Sequence, residues 1–378
     1  MLGLLRFVAI AFAFVTSICA AEQDMKLQSP LAALGFRPIP QFFSGGPSQR
    51  RGEASGIALN SKGHIYLFQR AEPMLAEYDP SGHFVRSLGE GLFLHPHGLR
   101  IDANDDIWTT DDESHLVLKL SPAGEVLLVL GRRNTAAEAE WLFNGPTDIA
   151  FGRSGEIYVA DGYGNSRIVK FDGEGNFLKS WGRYGSGPGE FNLPHSVVVD
   201  GEGRVYVGDR ENQRIQVFDP DGTYLTQWAS IGYPYGLFIT PDQHVWMIDG
   251  GYGRVVEFGP DGRMLGTFGE PGHSAGQFAW GHFLAIGADK KLYVADVLNW
   301  RFQAFESVPS SGRNSTYVPA RRMFWDRERS TGWSTGALGR SIQFAVPWGI
   351  GAVLVTLFIW YILRRARRLK RGRIANSD

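Results

Sequence analysis

The stretch NLPHSVVVDGEGRVYVGDRENQRIQVFDPDG, residues 192 to 222, decides the fold. Apolar residues alternate with polar ones in short runs, and each run ends in a turn of Gly, Asp or Asn, the pattern of short β-strands joined by tight turns. The frame recurs as SGIALNSKGHIYLF (55–68), HGLRIDANDDIWTT (97–110), TDIAFGRSGEIYVA (147–160), HSVVVDGEGRVYVG (195–208), YGLFITPDQHVWMI (235–248) and HFLAIGADKKLYVA (282–295). Each copy continues through a polar turn, a third strand such as RIVKF, RIQVF or RVVEF, and a fourth apolar run such as FLKSWG or MLGTFG. A unit of four strands cannot bury both of its faces alone and must stack on its neighbours. Six such units predict an all-β, six-bladed β-propeller over residues 52–306.

The sixth copy fades after FQAF at residue 305. The lead-in, residues 22–51, contains FRPIPQFFSG (36–45), which is expected to give that blade a strand and close the ring. GSGPGE (185–190) superficially resembles a phosphate loop, but it joins two blades and no helix follows it, so a nucleotide site is not expected there.

Composition fits an ordered, turn-rich protein: 378 residues, 43% hydrophobic, with 48 Gly and 19 Pro. The net charge of −1 conceals an asymmetry, because RRARRLKRGR (364–373) carries seven basic residues and leaves residues 7 to 363 at −8. An acidic body with its basic charge confined to a tail speaks against nucleic acid as a partner.

The two ends of the chain read as targeting segments. Residues 1–21 have a basic start at Arg6, an apolar run from Phe7 to Ile18 and small residues up to Ala21, which predicts a secretory signal peptide cleaved after Ala20 or Ala21. Cys19, the single cysteine, leaves with it, so the mature chain is expected to have neither disulfide nor thiol chemistry. Residues 307–343, rich in Ser, Gly and Arg, read as a stalk. FAVPWGIGAVLVTLFIWYIL (344–363) is uncharged and long enough for a transmembrane helix, with Trp348, Trp360 and Tyr361 near its ends. The basic tail that follows, 364–378, predicts a single-pass membrane protein with a cytoplasmic C-terminus and a propeller outside the cytoplasm, periplasmic or extracellular.

The first position of each copy is Ser55, His97, Thr147, His195, Tyr235 and His282, with histidine in copies two, four and six. Equivalent positions of the innermost strands ring the channel of a propeller, so alternate blades would bring three side chains inward from directions about 120° apart. Three converging neutral imidazoles with an open fourth position suit zinc or another divalent transition metal. The competing reading is three histidines each hydrogen-bonded in the channel.

VADGYGNSRIVKF and VGDRENQRIQVF resemble NHL repeats, in which Asp161, Asn165, Arg167, Asp209, Asn212 and Arg214 are expected to tie turn to strand by hydrogen bonds. FLHPHGLRID (93–102), GPTDIAF with VADGYGNSRIVKF (145–171) and FNLPHSVVVDGEGRVYVGDRENQRIQVF (191–218) resemble the catalytic core of the peptidyl-α-hydroxyglycine α-amidating lyases across residues 60 to 305. That resemblance implies a zinc held by His97, His195 and His282, an active-site arginine at Arg70 and an active-site tyrosine at Tyr163. It further implies cleavage of the C–N bond of a peptide carbinolamide to an amide and glyoxylate. A tyrosine, with a pKa of about 10 in water, takes up that proton only where a cation or metal stabilises its phenolate. Arg70 would supply this charge or grip the substrate carboxylate.

The chain also departs from the family. Where the family has a Met-Pro-His-Asp type stretch at the third histidine, with the Asp and a carbonyl near Leu99 serving a structural calcium, this chain reads FAWGHFLAI. Trp280, Gly281 and Phe283 replace Met, Pro and Asp, which argues against calcium. Two alternatives stay open: a non-catalytic NHL propeller that binds a peptide, glycan or protein, and a different propeller enzyme such as a lactone or ester hydrolase.

Overall fold

A computed structural model describes residues 32–46 and 52–309. The signal segment 1–21, the stalk beyond residue 309, the span 344–363 and the tail 364–378 lie outside the described residues. Among the described residues no helix is long and apolar enough to cross a membrane.

Six blade sheets follow one another along the chain, each with a core of four antiparallel strands. Their inner strands are Ala54–Leu59, Pro96–Ile101, Pro146–Phe151, Pro194–Val199, Pro234–Ile239 and Gly281–Ile286. Each inner strand lies against the next, and the sixth returns to the first, which closes the ring. Closure uses the N-terminal lead-in: Phe36–Pro38 pairs antiparallel with Arg301–Ser307 as the outermost strand of the sixth blade. A second short strand, Ala32–Ala33, adds in parallel to Met264–Phe268 at the edge of the fifth blade. No sequence signal marked it, because two alanines have no periodicity.

The core lies between blades. Along Ile157–Asp161, Ile157 and Val159 pack with Val117 and Leu130 of the preceding blade and Phe143 of the connecting loop, whereas Tyr158 and Ala160 pack with Val197, Val205 and Val207 of the following one. Successive side chains of a strand point to opposite faces, so a middle strand covered on both sides must be apolar at nearly every position. The outer strands are half-wet, and Phe177–Trp181 alternates half-buried with exposed residues.

Above the blades the expected turn residues form clasps. Asp161 accepts from Asn165 Nδ2 at 2.7 Å and Arg167 Nε at 3.0 Å, and Asp209 from Asn212 Nδ2 at 2.8 Å and Arg214 Nε at 2.7 Å. Each arginine reaches further than the turn: Arg167 donates to the carbonyls of Ala139 and Leu142, and Arg214 to those of Ser186, Gly187 and Glu190. The clasps thus hold the loops that connect blades, including the GSGPGE segment, which here closes on the Arg214 side chain.

Candidate metal centre and active site

All six inner strands share a local defect that aims the site. The strand pairing shifts register between Ala54 and Gly56, Pro96 and Leu99, Pro146 and Asp148, Pro194 and Ser196, Pro234 and Gly236, and Gly281 and Phe283. The residue left out of the ladder is the ring position itself: Ser55, His97 (with Gly98), Thr147, His195, Tyr235 and His282. A β-bulge frees one residue from strand pairing and re-aims it, and here it turns the ring residues to the channel. Four bulges open on a proline, which lacks the N–H that the ladder would otherwise use.

His97, His195 and His282 are buried and meet in the channel, one ligand nitrogen from each lying within 4.8 Å of the other two. Their ring centroids are 4.7 to 4.9 Å apart. The intervening blades hold them: Nδ1 of His97 donates to the Thr147 carbonyl at 2.7 Å, that of His195 to the Tyr235 carbonyl at 2.6 Å, and that of His282 to the Ser55 carbonyl at 2.7 Å. A carbonyl only accepts, so each Nδ1 carries the proton and each Nε2 presents a lone pair. Gly98 permits this approach, since a Cβ there would sit 2.5 Å from the Thr147 oxygen.

Burial pushes all three imidazoles well below the ordinary histidine range, and neighbouring positive charge, with Arg70 acting on each, adds to it. The triad is therefore neutral. Neutral, tautomerically fixed, converging nitrogens fit a divalent transition metal such as zinc, and the backbone carbonyls are the outer partners that such ligands use.

Tyr163 stands over the triad, its hydroxyl 3.0 Å from His97 Nε2 and 3.4 Å from His195 Nε2. Arg70 is mostly buried, donating to Glu53 Oε2 at 2.7 Å and to the Pro96 carbonyl at 3.2 Å. All five residues anticipated in the sequence thus gather at one end of the channel. Arg210 was missed. It is buried, bonds Glu211, and lies over the rings of Tyr235 at 4.6 Å and Tyr163 at 5.9 Å. The DREN turn that carries it repeats the clasp sequence, so its charge read as part of the repeat.

Beneath the triad lies Phe283, its ring centroid 5.0, 6.0 and 6.2 Å from those of His282, His97 and His195. Below it, the Arg100 guanidinium is 5.4 Å from that ring. At the position where the resemblance expects a calcium-binding aspartate stands Phe283, whose ring offers no oxygen, so this side chain does not fit that ion.

The NHL repeat model matches residues 93–120, 143–171 and 191–218. A probable peptidyl-alpha-hydroxyglycine alpha-amidating lyase of Caenorhabditis elegans is 35% identical over 215 residues, covering 50% of this chain and 61% of that protein. The peptidyl-glycine alpha-amidating monooxygenase of Mus musculus is 37% identical over 203 residues, 45% of this chain and 21% of that protein. The chain thus spans under two thirds of the length of these relatives. Among solved structures, a gluconolactonase from Xanthomonas campestris superposes with a TM-score of 0.55 at 15% identity, covering 75% of this chain and 99% of that one, a likeness of fold alone. Three matched repeats within six blades and these relatives make the chain an NHL-repeat, six-bladed propeller homologous to the peptidyl-alpha-hydroxyglycine alpha-amidating lyases.

Proposed function

We propose that the chain is a metal-dependent carbon–nitrogen lyase that splits an N-acyl-α-hydroxyglycine into an amide and glyoxylate. The observation that carries this reading is the Tyr163 hydroxyl, held within 3.4 Å of two converging imidazole nitrogens. Zinc, when held by His97, His195 and His282, supplies a Lewis acid that acidifies a hydroxyl brought to it. The protein's own part is proton movement and orientation. Tyr163 takes the proton of the carbinol hydroxyl, the O–H electrons form the new C=O bond, the C–N bond breaks, and the amide nitrogen gains a proton. Atoms and charge balance without an oxidant.

Arg70 and Arg210 bring two positive charges to a site whose imidazoles are neutral, a field that favours an anionic substrate end and a phenolate at Tyr163. Arg70 is already engaged by Glu53, so its part in this reading is chiefly the field. Bulged inner strands hold the three histidines, and Arg70, Tyr163 and Arg210 stand in the turns that follow the second strands of their blades, a fixed placement that suits a reaction dependent on geometry.

The test is glyoxylate release by the zinc-loaded full chain from an N-acyl-α-hydroxyglycine. Tyr163→Phe should keep zinc and lose rate by about 100-fold or more, the usual worth of a positioned acid–base group. A folded, zinc-loaded chain that releases no glyoxylate above background sinks the lyase reading. The apolar span 344–363 and the basic tail further support a propeller anchored outside the cytoplasm by a single pass. Protease added to spheroplasts should then digest the propeller and spare the tail, and a protected propeller overturns this placement.

A further inference from the structure

One side chain beneath the histidine triad touches all the other blades except the first. Arg100, on the second inner strand, donates from Nε and Nη2 to both oxygens of Asp148 on the third, at 2.9 and 2.5 Å. Its Nη2 also approaches Ser196 Oγ on the fourth at 3.3 Å and the Leu237 carbonyl on the fifth at 3.0 Å. Its cation faces the ring of Phe283 on the sixth. Asp148 is fully buried and accepts further from Ser196 Oγ at 2.6 Å and from the Val197 N–H at 3.0 Å.

From this layer we infer that the Arg100 guanidinium takes the place of a bound cation: it closes the channel floor and holds the three histidines in register. Every contact adjoins the ring. Asp148 follows Thr147, whose carbonyl fixes His97, and Ser196 follows His195. Leu237 lies two residues beyond Tyr235, whose carbonyl fixes His195, and Phe283 follows His282. A carboxylate, a hydroxyl and a carbonyl gathered on one point form the oxygen set that a hard cation takes. Here a permanently charged fork fills it, in a geometry that a bidentate pair makes specific. On this inference the positive charge of the layer against Phe283 is covalently part of the chain.

The inference rests on the fold and the triad, and none of its readouts requires turnover, so failure of the lyase reading leaves it standing. In the full chain, neither a calcium-selective chelator nor millimolar calcium should move Tm. Arg100→Ala should lower Tm by roughly 10 °C, because it leaves Asp148 charged and buried without its partner. It should also weaken cobalt(II) binding to the triad by about 10-fold or more, the usual effect of losing outer-shell support, and alter the cobalt d–d absorption. Arg100→Lys, which keeps the charge without the fork, should fall between the two and serves where Arg100→Ala fails to fold. A wild-type chain whose Tm falls with the chelator or rises with calcium overturns the substitution of one cation for another. A folded Arg100→Ala or Arg100→Lys chain with wild-type cobalt affinity and spectrum overturns the positioning role.

Discussion

Above the third, fourth and sixth blades, Asp161, Asp209 and Asp296 each accept from an asparagine and pair with an arginine in nearly the same way. At the channel, the same repeats divide into two kinds. Blades two, four and six present His97, His195 and His282, while blades one, three and five present Ser55, Thr147 and Tyr235, whose carbonyls hold the imidazoles. These clasps sit on three of the six blades, with an Asp249–Arg254 variant on the fifth, and they hold the loops that lead from one blade to the next. The channel has threefold order because three ligands and three acceptors must alternate to fix three tautomers. Loop fixing and the site thus use different positions of one repeat.

The largest effect on stability is expected at a clasp. Asp209→Ala leaves Arg214 buried without its counter-ion and should cost about 3–5 kcal/mol of stability, while the folded fraction still binds zinc as wild type. Urea unfolding followed by zinc dialysis checks both halves, and a loss of zinc affinity in folded protein would join the two regions that the comparison separates. The reciprocal variant, His195→Ala, should weaken zinc binding by about 100-fold or more, since it removes one of three ligands where loss of outer-shell partners alone costs 10–100-fold. Circular dichroism should still show a folded propeller. Unchanged zinc affinity would leave only hydrogen-bonded structural histidines.

Within the ring, an odd-blade side chain can be removed without removing its carbonyl. Ser55→Ala deletes the Oγ bond to the Phe68 carbonyl and should cost about 1 kcal/mol of stability. Zinc affinity should stay within about twofold, because the His282 partner is backbone; calorimetric zinc titration of the variant checks this. The smallest effect concerns the fifth clasp, where Tyr252 stands in place of the asparagine. Burial raises the Asp249 carboxyl to about 6 despite its bonds from Arg254 and backbone. That value exceeds the unfolded one of about 3.9, so between them the folded chain binds more protons, and this residue's contribution to stability declines as pH rises from about 4 to 6. Tyr252→Asn supplies the missing donor and should shrink that decline by roughly 0.5 kcal/mol. Urea midpoints at both pH values measure it, and an unaltered slope would show that the asparagine does not tune its clasp.

The blades, the ring and the histidine trio were legible because each is periodic: strand alternation, a repeat of 40 to 50 residues, and one position read down six copies. Tyr163 and Arg70 were reached through family resemblance, since a lone Tyr or Arg in a turn carries no pattern. The bulges that aim the ring, the carbonyls that set each tautomer, and Arg210 over Tyr163 came only with the tertiary structure. A backbone oxygen has no letter in a sequence, and register depends on two strands at once. Arg100 shows the same limit. Its partners lie 48, 96 and 137 residues away, and only closure of the ring brings them to one guanidinium, where low dielectric makes the charge count.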